Sequence, residues 1–139
     1  MAIREFMETL LLEVSPDETM FIASRLLDAR RVGSALVVED GQMAGILTER
    51  DVVRAVAADI DLKTTPVSDY MSRVVTTVGP DEDMTVAAQI MAGQRIRHLP
   101  VLDGDKLLGV ISIRDVVRWS MGQLQYDEGR HIRQLVDMV

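Results

Sequence analysis

Gly45-Ile46-Leu47-Thr48-Glu49-Arg50-Asp51-Val52-Val53-Arg54 and Gly109-Val110-Ile111-Ser112-Ile113-Arg114-Asp115-Val116-Val117-Arg118 share one pattern. Each begins with glycine and a short apolar run that reads as a strand. A hydroxyl residue follows, then an aspartate three positions on, then a helix. The two stretches are 64 residues apart, and the offset extends far beyond them. Met7 falls on Met71, Val14 on Val78, Pro16-Asp17-Glu18 on Pro80-Asp81-Glu82, and Val37 on Val101. Residues 2–54 align with 66–118 without a gap, with 15 identities in 53 positions. An internal duplication constrains a fold more than local propensity does, so the chain is read as two copies of one unit.

Working outward, the first copy predicts a short helix from residue 2 leading into the apolar Leu10-Leu11-Leu12. Ser15-Pro16-Asp17-Glu18 reads as a helix start, with Ser15 as cap, Pro16 at the first helical position and Glu18 closing a capping box. Met20, Ala23, Leu26 and Leu27 lie on one helical face. A strand is expected over 35–38, a turn at Glu39-Asp40-Gly41-Gln42, a returning strand over 43–47 and a helix over 49–58. The second copy repeats the plan. A short helix spans 67–71, and 74–78 is extended. Gly79-Pro80-Asp81-Glu82 opens a helix to about Gly93. Strands cover 98–102 and 106–111 around Asp103-Gly104-Asp105, and a helix runs from Arg114. The expected boundaries are repeat 1 at 2–58, a polar linker at 59–65, repeat 2 at 66–121 and a helical tail at 122–139. In that tail Leu124, Glu128, Ile132, Leu135, Val136 and Val139 have near-helical spacing. It reads either as packing on the module or a second subunit, or as a solvated terminal helix.

Composition narrows the function. The net charge is −7, which disfavours nucleic-acid backbones and anionic membrane surfaces as partners. The chain has no cysteine, so thiol catalysis, thiolate metal sites and disulfides are ruled out. Aromatic residues are 4%, too few for a base-stacking platform. No apolar run approaches the ~18 residues of a membrane span, and no basic region with an apolar signal core opens the chain. A cytoplasmic location is the expectation. His131 has no second histidine or acid around it and reads as a surface residue, so no metal site is expected.

Thr48-x-x-Asp51 and Ser112-x-x-Asp115 admit two readings. They are capping-box variants, in which the acid bonds back to the cap. They also place a carboxylate in the first helical turn, favoured there by exposed amides and the helix dipole. An ionised carboxylate in that place can accept both hydroxyls of a ribose. Thr48 and the helix-start amides can meet a phosphate, and Arg50 adds a fork-shaped cation; Ser112 and Arg114 repeat these roles. The two readings are compatible.

The repeat resembles the CBS domain, named after cystathionine β-synthase, and two in tandem resemble a Bateman module. The resemblance rests on Gly-apolar-apolar-apolar-(Thr/Ser)-x-x-Asp, the Ser/Gly-Pro-Asp-Glu start and Arg97-His98-Leu99-Pro100-Val101. It implies an α/β (α+β) fold of two tandem βαββα repeats packed about a pseudo-twofold axis, with a helical extension. It also implies an adenosine-containing ligand (AMP, ADP, ATP or NAD), a homodimer and a regulated protein partner, with no cofactor required and no chemistry of its own. On that resemblance a stronger site joins Ile46, Thr48, Arg50 and Asp51 with Thr76, Thr77 and Val78 near the base and Arg97 and His98 near the phosphates. A weaker site joins Val110, Ser112, Arg114 and Asp115 with Val14, Gly33 and Ser34. That second site lacks the basic pair, and Glu13 repels a phosphate if it faces inward. A purely structural dimerisation module with empty clefts, and a small nucleotide hydrolase, are the other readings.

Overall fold

The protein, seen here as a computed structural model, is described over residues 1–124. It divides into two compact units. One is Leu10–Val75; the other combines Met1–Thr9 with the described residues from Thr76 on. These are not the sequence repeats. In each unit the first few residues of one repeat are packed with the body of the other.

The Leu10–Val75 unit contains β1 (Glu13–Val14), α1 (Met20–Arg30), β2 (Ser34–Glu39), β3 (Gln42–Thr48) and α2 (Glu49–Ala57). β1 runs parallel to β2, and β2 pairs antiparallel with β3 around a turn at Asp40 and Gly41, both at positive φ. This Asp-Gly turn matches strand twist with two left-handed residues. On the far edge of β3, Ile46 bridges Ser72, which follows a 3₁₀ turn at Val67–Asp69. The core gathers Met20, Ala23 and Leu27 of α1 with Val14, Ala35, Val37, Leu47, Ala55 and Val67.

The other unit repeats this with α3 (Met84–Gln94), β4 (His98–Asp103), β5 (Lys106–Ser112) and α4 (Ile113–Leu124). Val78 takes the place of β1 as a single parallel bridge to Val101. Glu8 bridges Val110 after a 3₁₀ turn at Ile3–Glu5, as Ser72 does to Ile46. Ile3, Met84, Ala87, Leu99, Val101, Ile111 and Val116 form the core.

The crossing segment explains the motif glycine. A Cβ on Gly45 would stand 2.5 Å from the Ser72 carbonyl oxygen, and one on Gly109 2.6 Å from that of Glu8. Only glycine lets the backbone pass so close.

Two expectations need correction. α1 starts at Met20 with Thr19 as its cap, whose hydroxyl accepts from the Ile22 amide at 3.2 Å, and not at Ser15-Pro16. The Pro16 and Glu18 carbonyls accept from Ser68 and Val67 amides, so this stretch is held as a docking turn for the crossing segment. Likewise α3 starts at Met84 with Asp83 as cap, because the Pro80 and Glu82 carbonyls accept from Arg4 and Ile3. The stretch 59–65 between the repeats is anchored to the Leu10–Val75 unit. Ile60 and Leu62 pack on the core, and the Met20 and Phe21 amides donate to the Thr65 and Leu62 carbonyls. The tail positions Glu128, Ile132, Leu135, Val136 and Val139, and His131, lie outside the described residues.

Candidate functional site

Each unit presents one buried carboxylate at the end of its hairpin. β3 delivers Thr48 as the last strand residue, and α2 turns away from it at once. Asp51, in the first turn of α2, is 8% exposed. Its Oδ2 accepts from the Thr48 amide at 2.8 Å and from the Thr48 hydroxyl at 3.3 Å. Its Oδ1 accepts from Arg54 Nη1 at 3.0 Å. In the other unit Asp115 is 6% exposed. Its Oδ2 accepts from the Ser112 amide at 2.7 Å and the Ser112 hydroxyl at 2.9 Å, and its Oδ1 pairs with Arg118.

Capping is therefore real in both copies, and it uses most of the carboxylate. An ionised carboxylate offers roughly four lone-pair sites. Three are taken in each unit, two on Oδ2 and one on Oδ1. A sugar hydroxyl can add to Oδ1 directly. A second hydroxyl requires Thr48 or Ser112 to turn its own hydroxyl elsewhere, for instance toward a ligand oxygen.

Arg50 and Arg114, the cations singled out in the sequence, are exposed. The arginine that engages each acid stands three residues after it: Arg54 for Asp51 and Arg118 for Asp115. The signal was present. Asp-x-x-Arg recurs at the 64-residue offset and has i,i+3 spacing on a helix.

The strand register decides which other residues stand beside each acid within its unit. Ser34 is the cross-strand partner of Thr48, and the Glu49 amide donates to the Gly33 carbonyl. His98 is the cross-strand partner of Ser112, and the Ile113 amide donates to the Arg97 carbonyl. So Gly33 and Ser34 share a unit with Thr48 and Asp51, and exposed Arg97 shares one with Ser112 and Asp115. Val14 pairs with Val37, and Val78 with Val101, on the opposite edge of each hairpin. Ile46 and Val110 are buried in mid-strand. Thr76 and Thr77, half-buried, precede Val78, and the Thr76 hydroxyl donates to Gln94 Oε1 at 2.8 Å. Among the described residues no group of three or more His, Asp or Glu could hold a metal ion, and no helix is long and apolar enough to cross a membrane.

The CBS domain family model matches twice, over residues 3–58 and 67–122. The chain belongs to the CBS domain family. The CBS domain-containing protein YhcV of Bacillus subtilis is 34% identical over 115 residues, covering 83% of this chain and 82% of the relative. A Burkholderia ambifaria protein with CBS domains superposes with a TM-score of 0.85 at 31% identity, covering 93% of this chain and all of that one. The CBS domain pair of protein MJ0100 superposes with a TM-score of 0.81 at 21% identity, covering 88% of this chain and 98% of that one. It was solved in complex with 5′-methylthioadenosine and S-adenosyl-L-methionine. The tandem CBS architecture is thus the one that the family resemblance implied. The buried Asp51 and Asp115 each fall inside one CBS match.

Proposed function

We propose that this CBS pair is a regulatory module without chemistry of its own that binds an adenosine-containing ligand and controls a protein partner. The observation that carries the reading is the buried acid after a hydroxyl residue, built identically at the start of α2 and α4. The adenosine ligands of the MJ0100 pair support the ligand class for a chain of the same fold. Both ligands there carry a ribose or ribose-derived diol, which an ionised carboxylate accepts well.

Within this reading the stronger site is built on Ile46, Thr48, Arg50 and Asp51. It takes a phosphorylated adenosine ligand (AMP, ADP, ATP or NAD). Val110, Ser112, Arg114 and Asp115 carry the weaker site. The ligand shifts the equilibrium between two arrangements of the module by its difference in affinity for them, and a partner reads the shift. The working form is a cytoplasmic homodimer.

Thermal unfolding with AMP, ADP, ATP, NAD and S-adenosylmethionine in turn tests this. A ligand at a hundred times its Kd stabilises by about 2.7 kcal/mol. At this size the midpoint rises by roughly 3–6 °C. The shift should vanish in Asp51→Ala. No shift with any ligand would leave the structural dimer as the better reading. That second reading has its own support: Val53 and Val56 on α2 are 66% and 59% exposed, and Met121 on α4 is 62% exposed. Such apolar exposure on a helix suits an interface with a second copy.

A further inference from the structure

We infer that Arg54 sets the charge preference of the Asp51 site, favouring phosphorylated ligands over the bare nucleoside. This rests on the adenosine-ligand reading and adds a residue to it. A buried carboxylate in a chain of net charge −7 is a poor neighbour for a phosphate. Arg54 cancels that charge locally, with Nη1 at 3.0 Å from Asp51 Oδ1. Its side chain is 60% exposed while that of Asp51 is 12% exposed. The acid is therefore sheltered and its counter-cation faces solvent, the order in which an arriving anion meets the positive charge first.

The guanidinium has a second neighbour. Its Cζ stands 5.7 Å from the centroid of the Tyr70 ring, so the cation is held between an acid and an aromatic face. Tyr70 follows the Val67–Asp69 turn, whose amides are tied to the docking turn before α1. The equivalent ring in the other unit is Phe6, and among the described residues Arg118 makes no such contact with it. Arg54 is thus a positioned cation, with one donor spent on Asp51 and the others left for a ligand; guanidinium carries five.

Isothermal titration of AMP, ATP and adenosine into Arg54→Met, Arg54→Lys and the parent tests this at low salt and at 1 M salt. Arg54→Met should weaken AMP roughly five- to tenfold and ATP further, while adenosine moves less than about twofold, as expected for one charge removed at several ångströms in a medium of intermediate dielectric. Arg54→Lys keeps the charge and should restore most of the AMP affinity. At 1 M salt, where the screening length falls to about 3 Å, the difference between AMP and adenosine should collapse. Lys63→Met lowers the net charge by the same amount outside the site, and should leave the AMP-to-adenosine ratio unchanged. Equal weakening of AMP and adenosine by Arg54→Met would overturn the inference, leaving Arg54 as a strut for Asp51. So would a Lys63→Met shift as large as that of Arg54→Met. A parent that binds neither AMP nor adenosine would instead overturn the ligand reading itself.

Discussion

In the Leu10–Val75 unit the acid of the motif answers to Thr48 and Arg54; in the other unit it answers to Ser112 and Arg118. The bonds inside the ten-residue motif are the same in both. What surrounds them is not. Ser34 faces Thr48 across the hairpin where His98 faces Ser112. Gly33 stands where Arg97 stands, Tyr70 where Phe6 stands, and fully buried Ala55 where the larger Trp119 packs. Several core positions are kept through the duplication, Met20 with Met84, Ala23 with Ala87 and Val37 with Val101. The rim of each acid differs between the units.

The largest effects should fall where the two units are most alike. Gly45→Ala and Gly109→Ala each drive a Cβ into a backbone carbonyl, at 2.5 and 2.6 Å, with a methionine sulfur only 3.1 and 3.0 Å away. Backbone cannot yield cheaply, so each should cost about 2–3 kcal/mol in urea unfolding. If only one of the pair is destabilising, the two crossings are not mechanically equivalent.

Asp51→Ala and Asp115→Ala should come next. Each removes the acid that closes the helix start, at a cost of about 1–2 kcal/mol. The penalty stays modest because the arginine left behind is mostly exposed, so no buried cation is stranded. Equal stability losses with unequal loss of AMP binding, larger for Asp51, would separate capping from recognition. Equal losses of both would erase the distinction between the sites.

Smaller still are the helix ends. α1 and α3 both stop at an arginine in the left-handed region, Arg31 at φ 54° and Arg95 at φ 55°. Glycine takes that conformation without a Cβ penalty. Arg31→Gly and Arg95→Gly should each add roughly 0.5–1 kcal/mol to stability by chemical denaturation. A loss in either would show that its side chain does more than end a helix.

How much of this was legible in the sequence follows from what each signal depends on. The offset of 64 residues, the Asp40-Gly41 turn and the alternation around it fixed both hairpins to within a residue or two. The core face Met20, Ala23 and Leu27 was legible because helical periodicity is local. The helix starts were misplaced by about four residues because Ser15-Pro16-Asp17-Glu18 has every local feature of a cap. Its carbonyls are claimed instead by Val67 and Ser68, some fifty residues away, and no local pattern announces that. The same distance hid the exchange of leading segments between units. Arg54 was within the quoted motif, yet adjacency to Asp51 drew attention to Arg50. On a helix the third neighbour, not the first, shares a face.

The subtlest difference between the units concerns their caps and is read with acid. α1 is capped by Thr19 and α3 by Asp83 at the equivalent position. The Asp83 carboxyl is lowered to about 2 from its ordinary 3.8. The Thr85 amide contributes most, then the Thr85 hydroxyl, then the terminal ammonium. A depressed folded value means that this group's stabilisation is complete above the unfolded value and is lost as pH falls from about 4 toward 2. Thr19 has no proton to take up in that range. Asp83→Thr makes the second cap like the first, and urea midpoints measured from pH 7 to pH 2.5 should then fall less steeply than in the parent over the acid limb alone. The change should be small, because the carboxyl is exposed and solvent screens it. An unchanged acid limb would place the titration elsewhere, with Asp81 beside Arg4 the next group to replace, since its carboxyl is also held low by that guanidinium.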